Sequence, residues 1–484
     1  MKKISSFRLN RDKNILLLLR DLKTFIKKIL NEKEIQKFIG NLSTSLMIPK
    51  KILHLEFEQI IYKNFENQNG KFSKKFYLRN VIFSSTKFLL ICFFIIFNSK
   101  KIEKKTRTKL IVDDIDKNNI PDRFFSLSKK IDTIFISTHQ LDKKFKTFIF
   151  KKYLNCSKLI SFISNPKKVF QIFLFTLIHS FKSKNNLFPF AIEVIKCVAK
   201  YETVFSRIKA DFTIQERHYN TSALKNFIFK QKGGKFNTVV QKNIFQINGI
   251  GMYINTDIFF SLGNLTAKDL SKLGGRAKMI IPVGSLFMEY NFHFRKEKNS
   301  NKVYDIIVFA SDHNKIFHSG YNEYYKEYLV HFDWIKKFAI KFPKYNIGIK
   351  LKKVITDQVV VQKFKDIQNV NFLFDRGSYS DSYYLGQKAK ALCTWSSTLA
   401  FEFLGDGRVS YFIDPQNKNI SFIPNEKHLL KFKLNSYKKF ENNLLIQIQK
   451  PSKRILRNKK ESNNFCLKSD KVSINIYKNL KKLI

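Results

Sequence analysis

The sequence predicts an α/β protein of doubly wound parallel sheets preceded by a helical N-terminal region. Three observations predict it. From Thr108 onward, short apolar runs alternate with segments whose apolar residues recur at helical spacing, and strands alternating with helices imply parallel pairing. Residues 388–414, KAKALCTWSSTLAFEFLGDGRVSYFID, read in order as strand, hydroxyl-rich turn, helix, Gly turn and strand. The chain has 484 residues, 44% of them hydrophobic, which suits two α/β domains of roughly 150 to 200 residues and an N-terminal region with real cores.

Taken in order, Met1 to Gln68 reads as charged amphipathic helices. Met1 to Asn14 is polar and basic, and the apolar run from Ile15 to Arg20 is too short for a signal core, so no secretory signal is expected. Phe88 to Phe97, FLLICFFIIF, is ten uninterrupted apolar residues, with Lys87 before it and KKIEKKTRTK after it. Extended back to Val81 it reaches about 17 residues, short of the roughly 20 of a spanning helix. A second apolar stretch, Val169 to Phe181, is bracketed by Lys167-Lys168 and Lys182. Two Lys-flanked apolar segments suit a protein dipping into the cytoplasmic leaflet. The competing expectation is that both are buried helices of the first domain.

Thr108 to Ile115 and Ile131 to Thr138 read as strands. Asp114-Ile115-Asp116 reads as a strand-end turn, so a divalent cation is not required. His139, just past the second strand, is either an acceptor-side residue or a loop histidine. Glu216-Arg217-His218-Tyr219 precedes a helical stretch, and Gln241-Lys242-Asn243 is expected to open a strand. Asp257 to Glu289 has a strand-like start, Gly263, an expected helix from Thr266, a Gly274-Gly275 stop and a strand, MIIPV, running into Gly284-Ser285. Gly284 and Ser285 allow close approach of the backbone to a ligand, or serve as plain turn geometry.

Asn301 to Ala310, Tyr345 to Lys350 and Asn369 to Phe374 read as further strands, with a helix over Tyr321 to Phe342 that Pro343 stops. Ligands of doubly wound sheets sit outside the carboxyl ends of the strands, where Ser311, Lys350 and Ser396 emerge. Ser396, Ser397 and Thr398 at a helix start offer hydroxyls, backbone N–H groups and the positive end of the helix dipole to an anion. Glu402 lies about one turn deeper on the same face, placed to accept from the vicinal hydroxyls of a sugar. The same residues also read as ordinary helix caps and a solvated glutamate. Gly405 and Gly407 end the helix.

This stretch, with the order of motifs upstream of it, resembles the donor-nucleotide half of GT-B-type glycosyltransferases. It is most similar to the bacterial surface-carbohydrate group that includes the CDP-glycerol glycerophosphotransferases. The resemblance covers roughly Thr108 to Gln416. It implies two Rossmann-like domains facing a cleft, with residues 1–105 as a basic helical region, 106–290 as the acceptor-side domain, 291–450 as the nucleotide-donor domain and 451–484 as a basic tail. In such proteins a terminal helix often crosses back to the first domain, and Val472 to Ile484 suits that part.

The resemblance further implies a nucleotide-activated sugar or polyol as donor substrate, a carbohydrate or lipid-linked acceptor, and no separate cofactor or metal. Gly284, Ser285, Lys350, Ser396, Ser397 and Thr398 would hold the donor phosphates, and Glu402 the ribose or donor sugar. Two departures stand out. Leu351, Lys352 and Lys353 follow Lys350 where related enzymes have a His nearby, and Lys242 and Asn243 follow Gln241 where they have His-Gly. The candidate bases are therefore Glu216, His218 and Asp257. The expected activity is transfer of a sugar or polyol phosphate to a surface-polysaccharide acceptor. A sugar-nucleotide epimerase on the same scaffold and a catalytically silent assembly protein are the alternatives.

The formal net charge of +51 raises nucleic acid as a partner. Only 14 of the 89 basic residues are Arg, whereas base readout and bidentate phosphate clamps favour Arg, and the Lys residues are scattered rather than gathered in one arm. The charge is expected to serve an anionic membrane surface instead, placing the protein in the cytoplasm, peripheral to the inner membrane. The five cysteines, odd in number and widely spaced, imply neither a disulfide frame nor a metal site.

Overall fold

A computed structural model describes residues 15–67, 76–97, 105–115, 121–150, 165–215, 221–243, 254–268, 270–271, 275–293, 303–310, 322–351, 358–374, 380–395, 397–415 and 426–483. Two parallel sheets organise it. After a short strand β1 (Thr106–Arg107), the first sheet begins with β2 (Leu110–Ile115), β3 (Thr133–Ser137) and β4 (Thr147–Ile149). A short β5 (Ile208–Lys209) pairs with β1, and the sheet continues through β6 (Phe212–Gln215), β7 (Phe236–Val240), β8 (Asn255–Ser261) and β9 (Arg276–Pro282). Its order is β4-β3-β2-β6-β7-β8-β9.

The second sheet holds β10 (Ile306–Phe309), β11 (Ile347–Leu351), β12 (Val370–Phe374), β13 (Ala391–Thr394), β14 (Ser410–Ile413) and β15 (Lys433–Leu434), ordered β12-β11-β10-β13-β14-β15. In each sheet the first strand lies inside and the chain then winds outward in both directions. The direction reverses beside β2 in one sheet and beside β10 in the other, the place where doubly wound sheets bind ligands. Strands β3, β6, β8, β10 and β13 are buried throughout, as expected for parallel strands covered on both faces. This is the doubly wound parallel α/β architecture, in two sheets, that the alternation of strands and helices implies.

The N-terminal helices Ile15–Leu30, Lys33–Leu46 and Lys50–Asn67 do not stand apart. They share one core with the helices Val81–Phe97 and Phe188–Arg207 and with Ile111, Ile134 and Ile136 of the first sheet. Glu56 ties the two regions further: its carboxylate accepts from the Ser222 hydroxyl at 2.8 Å and from Leu224 N at 3.1 Å, capping the helix Ala223–Gln231.

The two apolar segments are each buried on one face and exposed on the other. In Val81–Phe97 the residues Val81, Phe88, Ile91, Cys92 and Ile95 point inward at helical spacing. Ile82, Phe83, Phe93 and Phe97 are 81%, 74%, 54% and 71% exposed. In Pro166–Ser183, Val169, Ile172 and His179 are buried while Phe170 and Phe181 are more than half exposed. Leu78–Phe97 is long and apolar enough to cross a membrane by length and composition.

Two local expectations fare differently. Gln241 to Asn243 are not in a strand and the rest of the expected strand, 244–249, lies outside the described residues; β7 ends at Val240, and Gln241 works as a staple. Its side-chain oxygen accepts from Leu262 N and the Thr266 hydroxyl, both at 3.0 Å, and its amide donates to Thr266 O at 3.3 Å. The described residues after Thr266, 267–268 and 270–271, form turns instead of the expected helix, and the Thr266 hydroxyl accepts from Gly263 N at 2.9 Å, closing a tight loop. Cys92, Cys197, Cys393 and Cys466 are free thiols.

The C-terminal chain laces the two sheets together. The helix Lys459–Phe465 packs on the helix Thr398–Gly405 of the second sheet, and Asn264 N and Leu265 N donate to Asn463 O and Asn464 O. Past it, the helix Val472–Lys481 crosses back to the first sheet, where Val472, Ile476 and Leu480 join Leu110, Val112 and Phe260 in one core. Glu289 caps that helix by accepting from Ser473 N at 2.9 Å and from the Ser473 hydroxyl.

Candidate functional site

The loops at the carboxyl ends of the two sheets meet. On the second sheet, Phe309 of β10 is in register with Lys350 of β11 and Thr394 of β13, and the Thr394 hydroxyl donates to Phe309 O at 2.6 Å. Lys350 therefore ends up two strands, about 10 Å, from the end of β13, with its side chain buried. Ser397, extended at φ −147° and ψ 136°, is the N-cap of the helix Thr398–Gly405 and accepts from Leu399 N at 3.3 Å. Ser397, Thr398 and Leu399 at this helix start are half-buried. Ser396 and Ser311 lie outside the described residues.

Gly284 and Ser285 follow β9 of the first sheet. Gly284 has φ +104°, and a Cβ there would lie 2.8 Å from Val472 Cγ2 and 3.0 Å from Leu467 O. It is a glycine because the returning C-terminal chain leaves no room and the backbone is left-handed. Ser285 is buried and accepts from Met288 N at 3.3 Å, starting the helix Leu286–His293.

Its hydroxyl also donates to Glu402, 117 residues further on. The other Glu402 oxygen accepts from the Tyr383 hydroxyl at 2.8 Å, Tyr383 standing on the helix Ser380–Lys388. Glu402 is only 4% exposed. Burial pushes its carboxyl up to about 7, against the pull of the Ser285 and Tyr383 hydroxyls and the Arg123 guanidinium. Tyr383, buried beside that carboxyl, is itself raised well above the ordinary phenol range.

Of the two expectations for Glu402, a solvated glutamate is the one its burial excludes. Glu402 is placed one turn into the helix, as the spacing predicts, yet its carboxylate already serves two protein hydroxyls rather than facing open solvent. The reason is that the Ser285 turn and the Tyr383 helix both close over that face of Thr398–Gly405.

Arg123, which the sequence reading does not single out, stands beside this junction. It lies in the turn Pro121–Phe124, beyond the end of β2, and is buried with its guanidinium 3.0 Å from the centroid of the Phe287 ring. Lys242, which stands where the related motif has a His, brings its ammonium within 5.5 Å of the same ring. Phe287 is two residues from Ser285, so two cations from separate loops of the first sheet gather beside the junction. The one signal in the sequence is an arginine shortly after an apolar strand in a chain poor in arginine.

The candidate bases fare differently. Glu216 and His218 lie outside the described residues; they directly follow Gln215, the last residue of β6. Asp257 is removed from the site. It stands four residues before the end of β8, about 13 Å along the strand. It pairs with Lys230 at 2.7 Å and Lys278 at 3.2 Å, and accepts from Asn237 N at 3.0 Å. Burial alone would raise its pKa, but hydrogen bonds from Lys230 and Asn237 N hold it below the ordinary carboxylate range. Its carboxylate ties Lys230 and Lys278 to the backbone of Asn237 within the sheet. His139 sits in the turn after β3, within 3.4 Å of the Ser137 and Thr138 hydroxyls.

A second buried charge cluster lies in the first sheet. Asp113 of β2 meets Lys225 at 3.0 Å and Lys200 at 3.1 Å and accepts from the Tyr201 hydroxyl at 2.8 Å. Burial raises its pKa, and the two ammonium groups overcome that and hold it far below the usual range. Among the described residues no group of His, Cys, Asp and Glu has the arrangement of a metal site.

No protein-family model matches the chain, and no curated sequence matches it. Several solved structures are similar in chain path. A UDP-N-acetylglucosamine 2-epimerase from Listeria monocytogenes, itself described as putative, shares 10% identity over 78% of this chain and 97% of its own, with a TM-score of 0.49. A UDP-GlcNAc 2-epimerase from Neisseria meningitidis, bound to UDP-GlcNAc, shares 11% over 78% and 100%, with a TM-score of 0.44. A variant of the wall teichoic acid polymerase TagF shares 12% over 88% and 97%, with a TM-score of 0.43.

Proposed function

We propose that this chain is a glycosyltransferase-like enzyme that moves a sugar or polyol phosphate from a nucleotide-activated donor to a surface-polysaccharide acceptor at the inner membrane face. The observation that carries the proposal is the junction of Ser285 with Glu402. The turn after the last strand of the first sheet is held against the helix that follows β13, and the resemblance to GT-B-type glycosyltransferases assigns both to the donor site.

In this reading the donor diphosphate lies at the N-terminus of Thr398–Gly405, between Ser397 and Lys350, with Arg123 on the opposite wall. These groups stabilise the charge that develops on the departing nucleotide phosphate, and they are fixed before reaction by burial and capping, so little reorganisation is needed. Glu402 keeps the Ser285 turn on the helix. A donor hydroxyl reaches its carboxylate by taking the place of the Ser285 or Tyr383 hydroxyl. Glu216 or His218 then deprotonates the acceptor hydroxyl.

A sugar-nucleotide epimerase is the second reading, and the carboxyl of Glu402 supports it: a group poised near 7 exchanges protons readily at neutral pH. Thermal shift against UDP, CDP, GDP and CMP conjugates tests the site. One conjugate at a hundredfold excess over its Kd should stabilise the protein by about 2.7 kcal/mol, and Ser397→Ala and Lys350→Met should each weaken that response. No shift with any conjugate would remove the donor site. Turnover that proceeds without acceptor selects the epimerase.

A further inference from the structure

The helices Val81–Phe97 and Pro166–Ser183 lie side by side, joined where the Phe88 and Phe173 rings meet with centroids 6.3 Å apart. Each turns one face into the shared core and leaves the other face, studded with phenylalanine and leucine, in the open. Phe93, Phe94 and Phe97 are at least half exposed on the first helix, and Phe170 and Phe181 on the second. With Ile82, Phe83, Leu89, Leu90, Leu174 and Ile178, which are also exposed, these faces uncover apolar surface on the order of 1,000 Å², at roughly 100 Å² for each half-uncovered side chain. The largest apolar patch of an ordinary soluble monomer is roughly 300–600 Å². Lysines frame it: Lys87 on the first helix, and Lys167, Lys182 and Lys184 at the two ends of the second, are all exposed.

From this we infer that the paired faces of Val81–Phe97 and Pro166–Ser183 are a monotopic docking surface for an anionic lipid bilayer, with both helices lying in the plane of the interface. Charge selects the occupant. An apolar face framed by ammonium groups, on a chain of net charge +51, meets a surface of anionic headgroups over acyl chains, and each lysine near such a surface adds to the attraction. A second copy of this chain would bring a like-charged frame against the first. Spanning is disfavoured by packing. Phe88, Ile91, Cys92 and Ile95 are committed to the protein core along the helix, so only one face is available to lipid, and Lys87 can lay its stem along that face with its ammonium at headgroup level.

The inference borrows from the proposed function only the side of the membrane; binding is read without nucleotide, so its failure leaves the donor site untouched. The experiment is sedimentation of the full chain with vesicles of phosphatidylcholine alone and of phosphatidylcholine with phosphatidylglycerol, beside Phe93→Glu/Phe97→Glu and Phe170→Glu/Phe181→Glu. All four positions are exposed, and circular dichroism melts verify that the variants fold. The wild type should partition at least tenfold more strongly onto phosphatidylglycerol vesicles than onto neutral ones. Either pair of substitutions should lower that partitioning at least tenfold, and carbonate at high pH should release bound protein. Equal binding by wild type and variants overturns the inference, as does no binding to either vesicle. A wild-type dimer that the same substitutions split, without vesicle binding, reassigns the face to self-association. Resistance to carbonate reassigns the first helix to a membrane span.

Discussion

Replacing Glu402 by Gln separates a buried carboxyl from a solvated one by its effect on stability across pH. In the unfolded chain this carboxyl titrates near 4.5, and in the folded protein burial raises it to about 7. The sign follows from proton counting. Between these values the native state holds a proton that the unfolded state has released, so wild-type stability is fully present below 4.5 and is lost as pH rises through 7. The shift is 7 − 4.5 = 2.5 pH units, and at 1.36 kcal/mol per unit the loss comes to about 3 kcal/mol by pH 8. Gln cannot titrate, yet its carbonyl still accepts from one of the two hydroxyls. The difference in stability, variant minus wild type, should therefore grow by about 3 kcal/mol from pH 4.5 to pH 8. If the chain unfolds as one unit, an unfolding entropy of about 2.1 cal/mol/K per residue turns this into about 3 °C in Tm. Paired thermal melts of both proteins at half-unit steps give the curve. Parallel curves, with a constant difference over the whole range, would refute the buried carboxyl and with it the closure of Ser285 and Tyr383 over Glu402.

Two further changes test the scaffold. Asp113→Asn strips the partner from Lys225, which is only 1% exposed, and should cost about 3–5 kcal/mol in urea unfolding; a loss below about 1 kcal/mol would mean that water reaches this cluster. Gly284→Ala forces a side chain into a left-handed position against Val472 and Leu467, with an expected cost of roughly 1–3 kcal/mol. It should also speed amide exchange in Val472–Lys481, and unchanged exchange there would uncouple the turn from the returning helix.

Local chemistry made much of the second sheet readable. Strands such as NVNFLF and VSYFID are apolar runs closed by turn residues, and the cap at Ser397 needs only a hydroxyl before a helix. These features depend on neighbours a few residues away. Gln241 and the described residues after Thr266 are not in the strand and helix expected there, and long-range hydrogen bonds claim both side chains. Gln241 serves Leu262 and Thr266 instead of a ladder, a choice that propensity does not register.

The sequence by itself determined the alternation of strand and helix, hence parallel sheets, and the capped helix start at Ser397. Tertiary structure alone decided that Glu402 faces Ser285 and Tyr383, that Arg123 stands over Phe287, that Asp257 is spent on lysines, and that two apolar segments 70 residues apart share one exposed flank. The reason is physical: capping and periodicity act within a turn or two of chain, whereas burial and charge pairing depend on which distant surfaces the folded chain brings together.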